Sequence, residues 1–321
     1  MPRVLIINPS SLVEIVHGLQ VATSMKAQWS KSKDPLVIDW VVRDIYSPLV
    51  SACEAVDATF VFKRFGSTLD FLKLVREMRK TKYDFLFDFQ GLLRTGLMTW
   101  QAHAKRKVGR ANAREGASTF YDEKVPLPPM GRRSHKLEVL LQFCTVLGLE
   151  PVLAGDLHFR EVEKLRLSFI EGRRGVKPVV MFPNARRVEK NWSGYKQLTR
   201  LILDADKTRR VIWAGNAYIP DKGSFPGERF LNLTGKTSLL TLPALVKRAD
   251  WVIANDSGPM HLAAAFNVKT LGIFGPSDPR IWGPYPPGSP HNHIVQAPVG
   301  NLQLLQAKEV FQRFHQYELG E

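Results

Sequence analysis

A chain of 321 residues with 44% hydrophobic content is long enough to bury two separate cores. Its two cysteines, Cys53 and Cys144, cannot build a disulfide framework or a thiolate metal site, and no apolar run approaches the length of a membrane span. A soluble, unexported protein of a reducing compartment is expected, and its formal net charge of +15 calls for a partner rich in phosphates, an anionic membrane surface or nucleic acid.

In chain order, short β-branched runs alternate with longer amphipathic stretches, the pattern of parallel strands joined by crossover helices. The first half predicts strands over residues 4–8, 37–42, 59–62 and 85–89, with a helix between the last two marked by Leu69, Leu72, Val75 and Met78. The stretch 148–175 is charged and strand-poor, looks helical over 161–170, and places the domain junction, so that one domain spans 1–155 and the next 156–300. The second half predicts strands over 179–182, 211–214, 230–233, 251–254 and 270–274. After the Pro/Gly-rich loop 283–290 come a short strand near Ile294 and a terminal helix, about 301–321, carrying Leu302, Leu305, Val310 and Phe314 and able to pack back on the first domain. The fold class is α/β: two Rossmann-like doubly wound domains, with ligands expected where strands end, in a cleft that the two domains face.

The richest motif is Asp250-Trp-Val-Ile-Ala-Asn-Asp-Ser-Gly-Pro-Met-His-Leu-Ala-Ala-Ala265, which reads as a buried strand, a tight polar turn and an Ala-rich helix. Asp256 or Ser257 can cap that helix, Gly258 lets a ligand approach the backbone, and Pro259 suits its first turn. The unpaired amides there, with the helix dipole behind them, would hold a diphosphate, and His261 could donate to a phosphate oxygen or a ribose. An ordinary capped helix gives the same pattern. Downstream, Leu271-Gly-Ile-Phe-Gly-Pro-Ser-Asp-Pro-Arg280 would close the pocket wall, or be a plain surface turn. Upstream, the loop in Phe182-Pro-Asn-Ala-Arg-Arg-Val-Glu-Lys-Asn-Trp192 carries Arg186, Arg187 and Lys190, cations that could neutralise a departing diphosphate where other transferases employ a metal, or simply be solvated.

Together these three segments resemble glycosyltransferase family 9, the ADP-heptose:lipopolysaccharide heptosyltransferases. The strings Asp256-Ser-Gly-Pro-Met-His261 and Phe274-Gly-Pro-Ser-Asp-Pro279 are the most specific. Ser10-Ser-Leu-Val-Glu-Ile-Val-His17, Ile38-Asp-Trp-Val-Val42, Tyr83-Asp-Phe-Leu-Phe-Asp-Phe-Gln-Gly-Leu-Leu93 and Ala113-Arg-Glu-Gly-Ala-Ser-Thr-Phe-Tyr121 look like the heptosyltransferase I branch.

The resemblance implies a GT-B fold and an inverting, metal-independent transfer of heptose with no cofactor. The C-terminal domain would hold an ADP-sugar donor through Arg187, Lys190, Asp256, Ser257, Gly258, Pro259, Met260 and His261. The N-terminal domain would hold an anionic Kdo-lipid A acceptor through Lys63, Arg64, Arg94 and Arg114, drawn by charge to the inner face of the inner membrane from the cytoplasm. The family places an aspartate base in a Ser-Ser-Leu-Gly-Asp loop after the first strand. Here the loop is Ser10-Ser11-Leu12-Val13-Glu14, so the catalytic assignments are Glu14 as base and Lys190 on the donor, with Trp192 beside it. Family members also carry a nucleoside-binding glutamate after the strand that ends in Trp213-Ala-Gly215, where this chain has Asn216-Ala-Tyr-Ile-Pro-Asp221.

Other readings stay open at the level of sequence. Asp204-Ala205-Asp206 has the Asp-x-Asp pattern of metal-dependent transferases but ends an amphipathic helix instead of following a strand. The loop from Pro9 to Glu14 lacks glycine, so the Gly-x-Gly-x-x-Gly signature of dinucleotide oxidoreductases is missing. Another sugar-nucleotide transferase, an epimerase of GT-B fold, a family member without turnover, or a basic nucleic-acid-binding protein without catalysis are the alternatives, although few aromatics interleave the basic clusters as base stacking would require.

Overall fold

The computed structural model describes residues 1–160, 177–221 and 223–320. The chain divides into two compact units, Met1–Glu161 and Val162–Glu321, within the stretch expected to be the junction. The helix expected over 161–170 lies outside the described residues. Among the described residues no helix is long and apolar enough to cross a membrane.

The first unit is a six-stranded parallel sheet in the order β3-β2-β1-β4-β5-β6, with β1 Arg3–Ile7, β2 Val37–Arg43, β3 Ala58–Phe62, β4 Tyr83–Asp88, β5 Ala104–Arg110 and β6 Glu123–Val125. Among the described residues five α-helices accompany it: α1 Leu12–Trp29, α2 Ser47–Ala52, α3 Thr68–Met78, α4 Leu93–Gln101 and α5 Lys136–Leu141. Because helices cover a parallel sheet, its central strand is apolar after its first residue; Val4, Leu5, Ile6 and Ile7 have no exposed surface. Fully burying each such side chain stabilises the fold by roughly 1.5–3 kcal/mol.

Strands β5 and β6 escape the sequence pattern. In Ala104-Lys-Arg-Lys-Val-Gly-Arg110 the β signal is masked by charge, yet the charged side chains find partners at the surface: Lys105 with Asp84 at 2.8 Å, and Arg106 with Glu123 at 2.5 Å, its guanidinium lying over the Phe85 ring. Only Val108 turns wholly inward as an apolar anchor. The helix over 68–78 forms as expected, but its inner face is Leu74, Val75 and Met78, while Leu69 and Leu72 are exposed.

The second unit repeats the plan in the order β12-β11-β10-β7-β8-β9: β7 Val179–Phe182, β8 Val211–Gly215, β9 Phe230–Thr234, β10 Trp251–Asn255, β11 Lys269–Phe274 and β12 Asn292–Gln296. Its helices are α6 Tyr195–Ala205, α7 Leu242–Lys247, α8 Gly258–Ala265, α9 Pro279–Trp282 and α10 Ala307–Leu319. The terminal helix α10 packs on α6 and buries Val310 and Phe314 in the core of this second unit, with Phe314 edge-on to Trp251 at 5.2 Å. Leu302 and Leu305 join that core from the segment ahead of the helix instead of from the helix itself.

Both strand orders reverse direction in the middle, between β1 and β4 in the first unit and between β10 and β7 in the second. At such a switch point the connections diverge to opposite faces and leave the carboxyl ends of the two strands open for a ligand. Glu14 follows β1, and Lys190 and Asp256 follow β7 and β10.

Candidate active site

In the second unit the switch point is tied together by Asn255, the last residue of β10. Its side-chain amide donates to the Pro183 carbonyl at 2.9 Å, and its carbonyl oxygen accepts from the Trp192 backbone at 3.4 Å, so it grips both ends of the loop that follows β7. The Ala185 N–H donates to the Asn191 side chain at 2.5 Å and draws the loop closed. Trp192 anchors it from below, donating its indole N–H to the Leu305 carbonyl at 2.9 Å. Gly194 is required for that packing, since a Cβ there would lie 2.1 Å from the Trp192 ring.

The loop thus delivers Lys190, at the end of a short 3-10 turn, onto Asp256 as a direct ion pair. The Asp256 side chain is 3% exposed and that of Lys190 20%. His261 is buried beside them, its Nε2 4.0 Å from the other Asp256 oxygen. With Asp256 engaged by lysine, the capping position of α8 falls to Ser257, but its hydroxyl makes no cap bond and, among the described residues, no hydrogen bond at all, although its oxygen is buried. The first turn of α8 therefore presents an unused hydroxyl and a shared cation at a helix start, a set suited to phosphate oxygens.

Not every residue expected here is drawn into this cluster. Arg186 and Arg187 point outward from the loop, with Arg187 3.8 Å from the equally exposed Glu189. Met260 is fully buried, and a Cβ at Gly272 of β11 would meet its sulfur at 2.6 Å, so its side chain is packing. Gly258 and Pro259 open the helix as expected. The Asn216–Asp221 segment is pinned at Ala217, whose carbonyl accepts from Asn184 at 3.0 Å, and at Ile219, whose N–H donates to Thr234 at 2.9 Å; Tyr218 between them is exposed. Asp204 and Asp206 serve the end of α6, near Lys207 and Arg209 at 3.6 Å each.

In the first unit Glu14 occupies the first turn of α1, where the helix dipole favours a carboxylate. It folds back over its own helix start to accept from the Ser10 hydroxyl and, at 3.3 Å, from the Ser11 hydroxyl, while its backbone carbonyl accepts from the Asn8 side chain at 3.1 Å. The carboxylate sits in the field of Arg110 and Lys136. Burial pulls both cations below their ordinary pKa values, and for each the charge of Glu14 opposes that pull.

A second carboxylate was not singled out in the sequence. Asp88 ends β4 fully buried and accepts from Gly91 N–H at 2.9 Å, Gln90 N–H at 3.0 Å and the Tyr121 hydroxyl at 2.7 Å. Burial pushes its pKa up against these donors. Tyr121 reaches it only because Gly109 of β5 lies under the ring, where a Cβ would come within 2.0 Å of it. Arg110, next in the chain, donates to the Phe89 carbonyl at 3.2 Å and the Asn112 side chain at 3.0 Å, which fixes the guanidinium between Asp88 and Glu14. The only sequence signal for this frame was the occurrence of Asp88 and Tyr121 in two segments that resemble the family.

The four basic residues expected to meet an acceptor all follow the carboxyl ends of strands of this same sheet, Arg94 in the first turn of α4. Lys63 is held by Asp70 at 2.9 Å; Arg64 lies 5.7 Å from the ring of Phe65; Arg94 lies over the Phe62 ring at 5.1 Å. Arg64 and Arg94 share one field, and the charge of Arg64 adds to burial in lowering the Arg94 pKa. Arg114, whose N–H donates to the Gly91 carbonyl at 2.9 Å, belongs instead with Arg110 and Lys136 around Glu14.

The model of "Glycosyltransferase family 9 (heptosyltransferase)" matches residues 71–313. The chain is similar to lipopolysaccharide heptosyltransferase 1 of Salmonella typhimurium, 25% identical across 98% of this chain and 100% of that protein, and to its counterpart from Escherichia coli K12, 26% identical across 97% and 98%. In fold it is similar to the E. coli heptosyltransferase WaaC with ADP, with a TM-score of 0.77 at 23% identity over 98% of this chain and 99% of that one. The architecture is accordingly a GT-B fold of two Rossmann-like units. The family match spans most of the chain, and with it this protein belongs to glycosyltransferase family 9, the heptosyltransferases, and is a glycosyltransferase.

Proposed function

We propose that this chain transfers a heptose from ADP-heptose to an acidic inner-core lipopolysaccharide acceptor, Kdo-lipid A, with inversion and without a metal. The observation that carries the reading is the Lys190–Asp256 pair set beside the unused Ser257 hydroxyl at the start of α8. Its setting in a chain similar to proteins named lipopolysaccharide heptosyltransferase, and to a structure described with ADP, supplies the ligand.

In this reading the diphosphate rests against the start of α8 and the Ser257 hydroxyl, with Lys190 and His261 beside it. Glu14 accepts the proton of the acceptor hydroxyl as that oxygen bonds to the anomeric carbon. The bond from that carbon to the diphosphate breaks, and the electron pair leaves with ADP, whose growing charge Lys190 and the helix start stabilise. Lys63, Arg64, Arg94 and Arg114 attract the phosphates and carboxylates of the acceptor, and the enzyme works at the cytoplasmic face of the inner membrane.

The test is thermal stabilisation followed by turnover. A ligand that binds only the folded state raises its stability by mass action. ADP and ADP-heptose should raise the melting temperature equally well with and without a chelator, NAD should not, and the donor should be consumed only when Kdo-lipid A is present. Donor consumption without acceptor would replace transfer by epimerisation or hydrolysis.

A further inference from the structure

Helix α3 buries Leu74, Val75 and Met78, yet Leu69 and Leu72 on its other side are exposed, Leu69 at 67%, and Phe65 just ahead of it is 89% exposed. Helix α4 repeats this. Met98 is buried, while Leu93, Leu97 and Trp100, spaced i, i+4, i+7 along one stripe, are exposed, Trp100 at 59%. The two stripes belong to one surface. Phe71 of α3 lines a shallow depression together with Leu93, Arg94 and Leu97 of α4, and at the far ends of the helices Arg79 donates to Gln101 at 3.4 Å. Six large apolar side chains on a single face exceed what a monomer scatters over its surface.

Cations surround this face: Arg64 and Arg94 at one end, with Lys73 and Arg76 along α3, all but Arg94 exposed. The acids nearby are already engaged, Asp70 by Lys63 at 2.9 Å, Glu77 by Lys80 at 2.6 Å, and Glu115, which lines the same depression, by the Leu93 N–H at 3.2 Å. The complementary partner is therefore negatively charged at its surface and apolar immediately beneath, with room for a tryptophan at the boundary. A phospholipid bilayer has that layering, whereas an acidic protein surface offers charge without the apolar depth.

We propose that the α3–α4 face, from Phe65 to Trp100, docks on a bilayer that carries anionic phospholipid headgroups. This rests on the reading of a membrane-held acidic acceptor and adds the surface by which the enzyme reaches it, since Arg64 and Arg94 belong both to the docking face and to the proposed acceptor site.

The full chain is mixed with vesicles of phosphatidylcholine alone or with a third of phosphatidylglycerol, neither containing lipopolysaccharide, and bound protein is measured by co-sedimentation. Binding to the anionic vesicles should exceed that to neutral ones by about tenfold or more and weaken with salt. The double variant Leu72→Glu/Trp100→Glu should lose about tenfold of that binding while keeping its melting temperature and its rate on an acyl-free, water-soluble acceptor. Among the described residues Trp100 is the one exposed tryptophan, so vesicles should shift the emission of the wild-type protein to the blue and leave Trp100→Phe unshifted. A double variant that binds like wild type, an unchanged shift in Trp100→Phe, or no binding to anionic vesicles overturns the proposal, and the last outcome assigns the face to a protein partner. Because the vesicles hold no acceptor, such a failure leaves the transfer reading intact; a wild-type enzyme inert toward the soluble acceptor would sink that reading and leave docking standing.

Discussion

The ammonium of Lys190, one-fifth exposed, is paired with an Asp256 carboxylate that is almost sealed from solvent. Such a pair is asymmetric: removing the exposed partner strands the buried one. Lys190→Ala should therefore destabilise the protein by about 2–4 kcal/mol, somewhat below a fully buried pair because water reaches the lysine, and should lower transfer by at least about a hundredfold. The double variant Lys190→Ala/Asp256→Asn removes the stranded charge and should recover part of the stability but none of the rate. Denaturant unfolding and initial rates on the four members of this cycle give both quantities; a single variant with wild-type turnover removes Lys190 from the mechanism.

Glu14 is held by the hydroxyls of Ser10 and Ser11 at the start of α1. Glu14→Gln retains the shape and one acceptor oxygen for those hydroxyls but cannot accept a proton, so kcat should fall by about 10²–10⁴ with little change in the KM for donor or in melting temperature. Glu14→Asp withdraws the carboxylate by a methylene and should be intermediate. Full turnover by folded Glu14→Gln would show that the proton goes elsewhere.

Much of this architecture was readable before any coordinates. Strands β7, β8, β10 and β11 are mainly apolar runs buried on both faces, and they form within a residue of their expected limits. Strands β5 and β6 were hidden because lysine and arginine stems can cover a sheet edge while their charges reach solvent, as Lys105 and Arg106 do. Apolar spacing also located α3 without saying which side faces the sheet, so Leu69 and Leu72 were not recognisable as surface. The site was legible only in pieces. Lys190 and Asp256 are 66 residues apart, and Asp88 and Tyr121 are 33 apart, separations over which no local periodicity operates.

The frame around Asp88 depends on a residue with no side chain. A Cβ at position 109 would stand 2.0 Å from the Tyr121 ring, so Gly109→Ala must push the ring off β5 and break its 2.7 Å hydrogen bond to a buried carboxylate. Overpacking and a lost donor together should cost about 2–4 kcal/mol, against about 1–2 kcal/mol for Tyr121→Phe, which loses the hydroxyl alone. The two effects should be less than additive, because the alanine has already removed the bond that phenylalanine deletes. Additive losses in urea unfolding would mean that the ring stays in place when Cβ is added.

Asp70 titrates where its loop would be expected to loosen. The Lys63 ammonium, followed by the backbone N–H and hydroxyl of Ser67, holds its carboxyl down at about 2 against an ordinary 3.8. The folded value is depressed, so the stability this group lends α3 is fully present above pH 3.8 and is lost as the pH falls toward 2. Carbon-detected NMR of the Asp70 carboxyl should give a midpoint near 2 in the folded protein, and Lys63→Met should move it back toward 3.8 by removing the largest contribution. Asp70→Asn should flatten the acid limb of the stability curve and free Lys63 for an anionic ligand. A wild-type midpoint close to 4 would mean that Lys63 is not held by Asp70 in solution, and that it is already free to meet an acceptor.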